Sequence, residues 1–348
     1  MVQRNKFNIN NEKDMIDFSI NYSPFKIPNK VFDNIKIGSK ILSLYPSYYA
    51  NSVIKPLANF LNLKSGNIMI SNGSTEIFFL IPNIFQFKQV LLLLPSFWEY
   101  EFTILLSNIK KHFLRLSYKN NFKLNIKEFE KKLKKVDCVY ICNPNNPTST
   151  YIEKEILISL IKKYKNKMFI IVETYLLFSR DYNKRTLSNF ASKHNNLIVV
   201  SSLSKIFRIG GLRLGFCIAT KKNINLLKAK KNPYSLNIIA ELILPQILKE
   251  AHYLNKTRRF ILREKIRLYE EIKKIKWLKP FEPVANFILI KIMDDKVTLS
   301  RLERYLERKR IRIRRGDVIN GLSNKYFRIC VKTQKENNLL IWALSEFK

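Results

Sequence analysis

Seven short apolar runs punctuate the first two thirds of the chain, and several show no alternation between inward and outward positions. Phe169-Ile170-Ile171-Val172 and Val90-Leu91-Leu92-Leu93-Leu94 are apolar at every position, as in strands covered on both faces. On this pattern strands are predicted over 67–70, 90–94, 112–116, 137–142, 168–172, 197–201 and 214–218. Helix-favouring segments lie between them, including 75–85, 126–134 and 154–165. The alternation predicts an α/β fold, a mostly parallel seven-stranded sheet flanked by helices. In such sheets ligands collect beyond the carboxyl ends of the strands, so the chemistry belongs in those loops.

After Asn223 the rhythm changes. A long, charged, helix-favouring stretch runs through 245–276, then come a β-rich segment over 285–292, a helix over 299–308 and short strands near Ile311 and Phe327. This pattern predicts a smaller C-terminal α+β domain. The expected division is an N-terminal arm over 1–35, a large domain over 36–223 and a small domain over 224–348.

Composition narrows the function classes. Apolar residues at 46% exclude general disorder. The start, Met1 to Asp14, is polar and lacks the apolar core of a signal peptide. No run approaches the ~20 apolar residues of a membrane span, so a cytoplasmic protein without a membrane partner is expected. The formal charge of +36 raises the question of a polyanionic partner. Its Lys and Arg residues are spread over the whole chain, however, and Lys, Asn and Ile abound while glycine is scarce. That pattern reads as compositional drift, and no nucleic-acid-binding signature accompanies it, so nucleic acid is not expected. The positive field still favours small anionic substrates. Cys138, Cys142, Cys217 and Cys330 sit in apolar contexts without metal-ligand spacing and read as buried free thiols. His112, His194 and His252 share no motif, which argues against histidine-centred catalysis and against a metal site.

The chemistry concentrates in Ser201 to Phe216, directly after a predicted strand. Lys205 lies among Ser201, Ser202 and Ser204, with Arg213 a short distance on. A lysine can condense with an aldehyde cofactor, and hydroxyls with an arginine can hold its phosphate, which suggests pyridoxal phosphate and an amino-acid substrate. Other strand ends carry suitable groups. Asn72-Gly73-Ser74-Thr75-Glu76 opens a helix and could hold a phosphate. Pro95-Ser96-Phe97-Trp98-Glu99-Tyr100 offers aromatics to cover a ring. Asn143-Pro144-Asn145-Asn146-Pro147-Thr148 and Glu173-Thr174-Tyr175 end two further strands.

This ordered set resembles the fold type I pyridoxal-phosphate enzymes, in the branch of histidinol-phosphate aminotransferase and threonine-phosphate decarboxylase, over nearly the whole chain. Asp17-Phe18-Ser19-Ile20-Asn21-Tyr22-Ser23-Pro24 looks like the substrate-loop opening of the decarboxylase, and Ile313-Arg314 through Phe327-Arg328 also looks closer to the decarboxylase. The resemblance implies an aspartate-aminotransferase-like large domain and a homodimer. It assigns Lys205 as the Schiff-base lysine and proton shuttle, and Ser202, Ser204 and Arg213, helped by Ser74 and Thr75, as phosphate ligands. Asn146 and Tyr175 would bond the ring's phenolic oxygen, with Phe97 or Tyr100 over the ring face. Asn21, Arg314 and Arg328 would bind substrate, an amino acid or amino-acid phosphate. Tyr45, in Tyr45-Pro46, would cross to the other subunit's cofactor phosphate. Decarboxylation is slightly preferred to transamination.

One position breaks the pattern. The family carries Asp-Glu-Ala-Tyr, whose aspartate meets the pyridine nitrogen, and the gapless match here is Val172-Glu173-Thr174-Tyr175. Valine cannot stabilise a pyridinium. Glu173 cannot replace the aspartate, because strand alternation turns it to the opposite face. Three readings follow: a cofactor-binding relic with weakened catalysis, chemistry needing a weaker electron sink, or protonation by another group. Ser149 also stands where the family prefers glycine.

Overall fold

A computed structural model describes residues 15–29, 31 and 39–347. The polar start of the expected arm, 1–14, lies outside the described residues, as do 30 and 32–38. Strands are numbered along the chain: β1 (Ile16–Asp17), β2 (Ile68–Asn72), β3 (Gln89–Leu94), β4 (Lys110–Arg115), β5 (Cys138–Cys142), β6 (Met168–Val172), β7 (Leu197–Ser202), β8 (Leu214–Ile218), β9 (Leu278–Pro280), β10 (Phe287–Ile292), β11 (Ile311–Arg312), β12 (Arg314–Arg315) and β13 (Tyr326–Cys330).

The large sheet has the order β2-β8-β7-β6-β5-β3-β4. Its pairings are parallel except at β8, which runs against both β2 and β7. The seven apolar runs of the sequence are these seven strands. Every residue of β5 and β7 is buried, as continuous apolar character demands when helices cover both faces. Six strands end at one rim, and β8, being reversed, begins there. The loops after β2, β3, β5, β6 and β7 therefore meet the connection that leads into β8.

Helices follow local signals. The helix Gly73–Phe85 (α1) opens directly at the end of β2, and Trp98–Leu106 (α2) shortly after β3. Ile126–Leu133 (α3) is capped by the Asn125 side chain, which accepts from the Glu128 N–H. The charged stretch expected over 245–276 is not one helix. It divides into Ile238–Leu248 (α4) and Ala251–Lys273 (α5), separated at Lys249-Glu250, where Glu250 leaves helical geometry. Helix propensity runs through that break, so composition gave no sign of it.

The smaller sheet, β12-β13-β10-β9, is antiparallel, and β1 pairs in parallel with β11. Ile16 lies opposite Ile311 and Asp17 opposite Arg312, so the arm adds a strand edge to the C-terminal segment. From there the arm crosses to the large sheet. The Ser23 N–H donates to the Lys205 carbonyl at 2.9 Å. The Tyr253 hydroxyl of α5 lies 2.8 Å from Ser23 Oγ, 3.0 Å from Phe25 O and 3.1 Å from Ile206 O. One phenol thus joins the arm, α5 and the segment after β7. Tyr253→Phe keeps the ring packing and removes these bonds, and should lower unfolding stability by about 1 kcal/mol in denaturant titration. Proteolysis within 15–29 should also become faster.

Candidate active site

Lys205 follows β7 in a turn closed by the Ile209 N–H donating to Ser204 O at 3.0 Å and the Phe207 N–H to Leu203 O at 3.1 Å. The turn directs the amine into a cavity lined by residues from every strand-end loop named above and from the arm. Burial, then the charges of Arg328 and Arg213, lower the Lys205 pKa to about 8.

One end of the cavity is a cup of hydroxyls and cation. Ser202 Oγ donates to Leu214 O at 2.8 Å and Ser204 Oγ to the same carbonyl at 3.4 Å. Arg213 adopts a left-handed conformation (φ 53°), which lays its guanidinium against Gly73. A Cβ on Gly73 would stand 2.4 Å from Arg213 Nη2 and displace that guanidinium, and Gly73 has φ 73°, a backbone conformation that favours glycine. The Arg213 guanidinium donates to the Gly210 carbonyl at 3.3 Å, and among the described residues no carboxylate pairs with it. Ser74 and Thr75 stand in the first turn of α1, where backbone N–H groups lack intrahelical partners. The Thr75 hydroxyl is engaged differently from expectation, donating to Glu99 Oε2 at 2.7 Å. Burial raises the Glu99 pKa against that bond and against Arg213 and Lys205.

The ring-face expectation divides between its two candidates. Tyr100 is buried against Phe78, edge to face at 4.9 Å, and Phe97 is half-buried with its centroid 5.6 Å from that of Tyr100. Both line the cavity. Across from them, Val172 closes β6 and faces in beside Cys142, its register partner on β5. Asn146 Nδ2 donates to Tyr175 Oη at 3.3 Å. Burial pushes the Tyr175 pKa up to about 12, with Arg328 opposing.

Glu173 points away from the cavity. Its carboxylate accepts from Thr186 Oγ1 at 2.5 Å and the Leu187 N–H at 2.8 Å, and burial raises its pKa to about 7. No carboxylate therefore stands at the Val172 position. Ser149 keeps a left-handed backbone (φ 61°) without glycine. Its hydroxyl accepts from the Ala285 N–H at 2.8 Å and its carbonyl from the Val284 N–H at 3.1 Å, two bonds that offset the cost of that conformation.

The far end belongs to the smaller sheet. Arg314 on β12 and Arg328 on β13 are register partners, and both side chains line the cavity. Arg328 is buried. Its Nη1 donates to Asn146 Oδ1 at 2.5 Å, its Nη2 donates to Ser19 O, and its Nε has no partner. Burial lowers its pKa to about 10. Asn21 is 2% exposed, and among the described residues neither atom of its amide has a partner at full hydrogen-bond geometry, although its side chain lies near enough to Tyr175 to favour that residue's phenolate. A buried amide and a buried guanidinium nitrogen left unpaired beside one cavity are costly unless a polar ligand completes them.

All the site residues expected from the sequence line this cavity except Tyr45. Tyr45 is 86% exposed, its ring packed on Tyr234 at 5.9 Å, outside the cavity of its own chain. Among the lining residues to which the sequence reading gave no role are Glu99 and Tyr22. Both lie inside segments singled out for other members, and only tertiary structure turns their side chains inward.

Residues 13–344 match the family Aminotransferase class I and II. The chain belongs to that family. It is a pyridoxal-phosphate enzyme, and the serine and arginine cup, the buried amine and the unpaired polar atoms fit a phosphorylated aldehyde carrying an anionic substrate. A Caldanaerobacter subterraneus protein, provisionally named a threonine-phosphate decarboxylase, is 31% identical, with 93% of this chain and 88% of the relative covered. A histidinol-phosphate aminotransferase of Thermoanaerobacter pseudethanolicus is 32% identical, covering 94% and 91%. The crystal structure of histidinol-phosphate aminotransferase from Clostridium acetobutylicum superposes with TM-score 0.87 at 31% identity, covering 94% of this chain and 98% of that one.

The lowered Lys205 pKa has a spectroscopic consequence. A lysine attacks an aldehyde only as the neutral amine, whose fraction rises as pH passes the pKa. Capture of pyridoxal phosphate by the apoenzyme, followed by its yellow absorbance, should accelerate with a midpoint near pH 8. Lys205→Ala should abolish the band.

Proposed function

We propose that this chain is a homodimeric, cytoplasmic pyridoxal-phosphate enzyme that decarboxylates an amino-acid phosphate at its α-carbon. The observation that carries the reading is the pair Arg328 and Arg314, two guanidiniums without carboxylate partners among the described residues, on the cavity wall opposite Arg213. Arg328 is buried with one nitrogen free, which suits a carboxylate fork, and Arg314 beside it suits a second anionic group. Preference for decarboxylation rests on the two segments similar to the decarboxylase, 17–24 and 313–328. They meet directly through Arg328 donating to Ser19 O.

In this reading Ser202, Ser204, Arg213, Ser74 and Thr75 hold the cofactor phosphate, Tyr100 and Phe97 cover its ring, and Asn146 with Tyr175 holds its phenolic oxygen. Bound there, the cofactor supplies an electron sink for the pair left on the α-carbon. Lys205 Nζ, with a proton affinity near neutrality, would deliver the proton that replaces the departing carboxylate at that carbon. Arg328 fixes the carboxylate and so selects which α-bond lies perpendicular to the ring. Tyr45, exposed on its own chain, reaches the partner's phosphate cup.

Val172 leaves the sink without a carboxylate at the ring nitrogen. That departure supports slow or specialised chemistry.

Titration with threonine phosphate, serine phosphate and histidinol phosphate separates the activities. Carbon dioxide release with the aldehyde band retained is expected. Loss of that band on adding amino donor alone, without carbon dioxide, would establish an aminotransferase instead. Arg328→Ala should reduce kcat/KM by roughly 100-fold, the loss of a charged hydrogen-bond pair. Val172→Asp should raise turnover several-fold, and no gain on any of these substrates would mean that nitrogen protonation is not limiting.

A further inference from the structure

Tyr22 enters the cavity from the arm, and nothing in the reading above uses it. Its ring lies 4.8 Å from Lys205 Nζ, within cation–π range. The backbone behind it is held on several sides. Ser23 N–H donates to Lys205 O, and Asn286 Nδ2 donates to Asn21 O at 3.2 Å and Tyr22 O at 3.4 Å. The hydroxyl is placed just as closely. A Cβ built on Gly210 would stand 1.8 Å from Tyr22 Oη and 2.9 Å from its Cζ. The chain therefore carries glycine at 210, a position without positive φ, because the phenol occupies the space where a side chain would begin.

We propose that Tyr22 is a positioning residue for Lys205: its ring holds the amine in the cavity whenever that amine is not bonded to the cofactor, and Gly210 exists to admit it. This rests on the reading of Lys205 as the cofactor-binding lysine. The groups acting on the amine are Arg328 and Cys330 from β13, Arg213 from the connection before β8, and Glu99 from α2. Tyr22 itself is acted on by Arg213, Arg208 and Asp17, with burial the larger influence, and stays a neutral phenol. The two arginines disfavour the ammonium, as does burial, while the ring's negative face favours it. Removing the ring but keeping its bulk should make Lys205 easier to deprotonate.

The test uses apoenzyme and pyridoxal phosphate without substrate, following the pH midpoint of band formation. Tyr22→Leu and Tyr22→Met should move the midpoint down by about half a unit to one unit. Tyr22→Phe, which keeps the ring, should leave it in place. Gly210→Ala should displace the ring and shift the midpoint in the same direction as Tyr22→Leu. The double variant Tyr22→Leu, Gly210→Ala should shift no further than Tyr22→Leu alone, because both act through one contact. An unchanged midpoint in both Tyr22→Leu and Tyr22→Met overturns the proposal, as does an equal shift in Tyr22→Phe. The reading of Lys205 fails separately, and with it this proposal, if the wild type forms no band or if Lys205→Ala still forms it.

Discussion

Four cationic side chains, Lys205, Arg213, Arg314 and Arg328, share one cavity in which Glu99 is the one carboxylate among the described residues. Gathering like charges at reduced dielectric is unfavourable, and burial first, with the neighbouring cations adding to it, lowers the pKa values of Lys205 and Arg328. In the proposed reading anions would offset that cost: a cofactor phosphate in the serine cup would answer Arg213, and a substrate carboxylate with a second anionic group would answer the pair on the smaller sheet. The fold serves this end: a largely parallel sheet brings its loops to one rim, and the reversed strand β8 delivers Arg213 to that rim from the opposite direction.

Much of this was legible in the sequence, for identifiable reasons. The inner strands stood out because burial on both faces removes polar residues, leaving runs such as 169–172, whereas the edge strand β4 keeps Lys110, Lys111, His112 and Arg115. The helix expected over 299–308 appears over Leu299–Arg308. The cavity residues were legible because strand-end loops converge, so a list of loop motifs becomes a list of neighbours.

What stayed hidden depended on contacts between distant segments. The two-residue strand Ile16–Asp17 has no periodicity to detect and exists only through its pairing with Ile311–Arg312. Tyr22 and Glu99 lay in noted segments, but which of several adjacent side chains turns inward is set by tertiary packing. The break at Lys249-Glu250 carries neither glycine nor proline, so propensity passed over it. Val172 is the opposite case: the sequence exposed the missing carboxylate, and the structure adds that Glu173 is committed elsewhere, to Thr186 and Leu187.

Ser149 carries a mechanical implication. By its hydroxyl and its carbonyl it fastens the loop after β5 to Val284 and Ala285, at the entrance to β10. A sliding displacement of the smaller sheet would shear both bonds at once. The two bonds therefore tie the loop that carries Asn146 to the strand β10 that neighbours the Arg328 strand, so the spacing between these two walls of the cavity is set at Ser149.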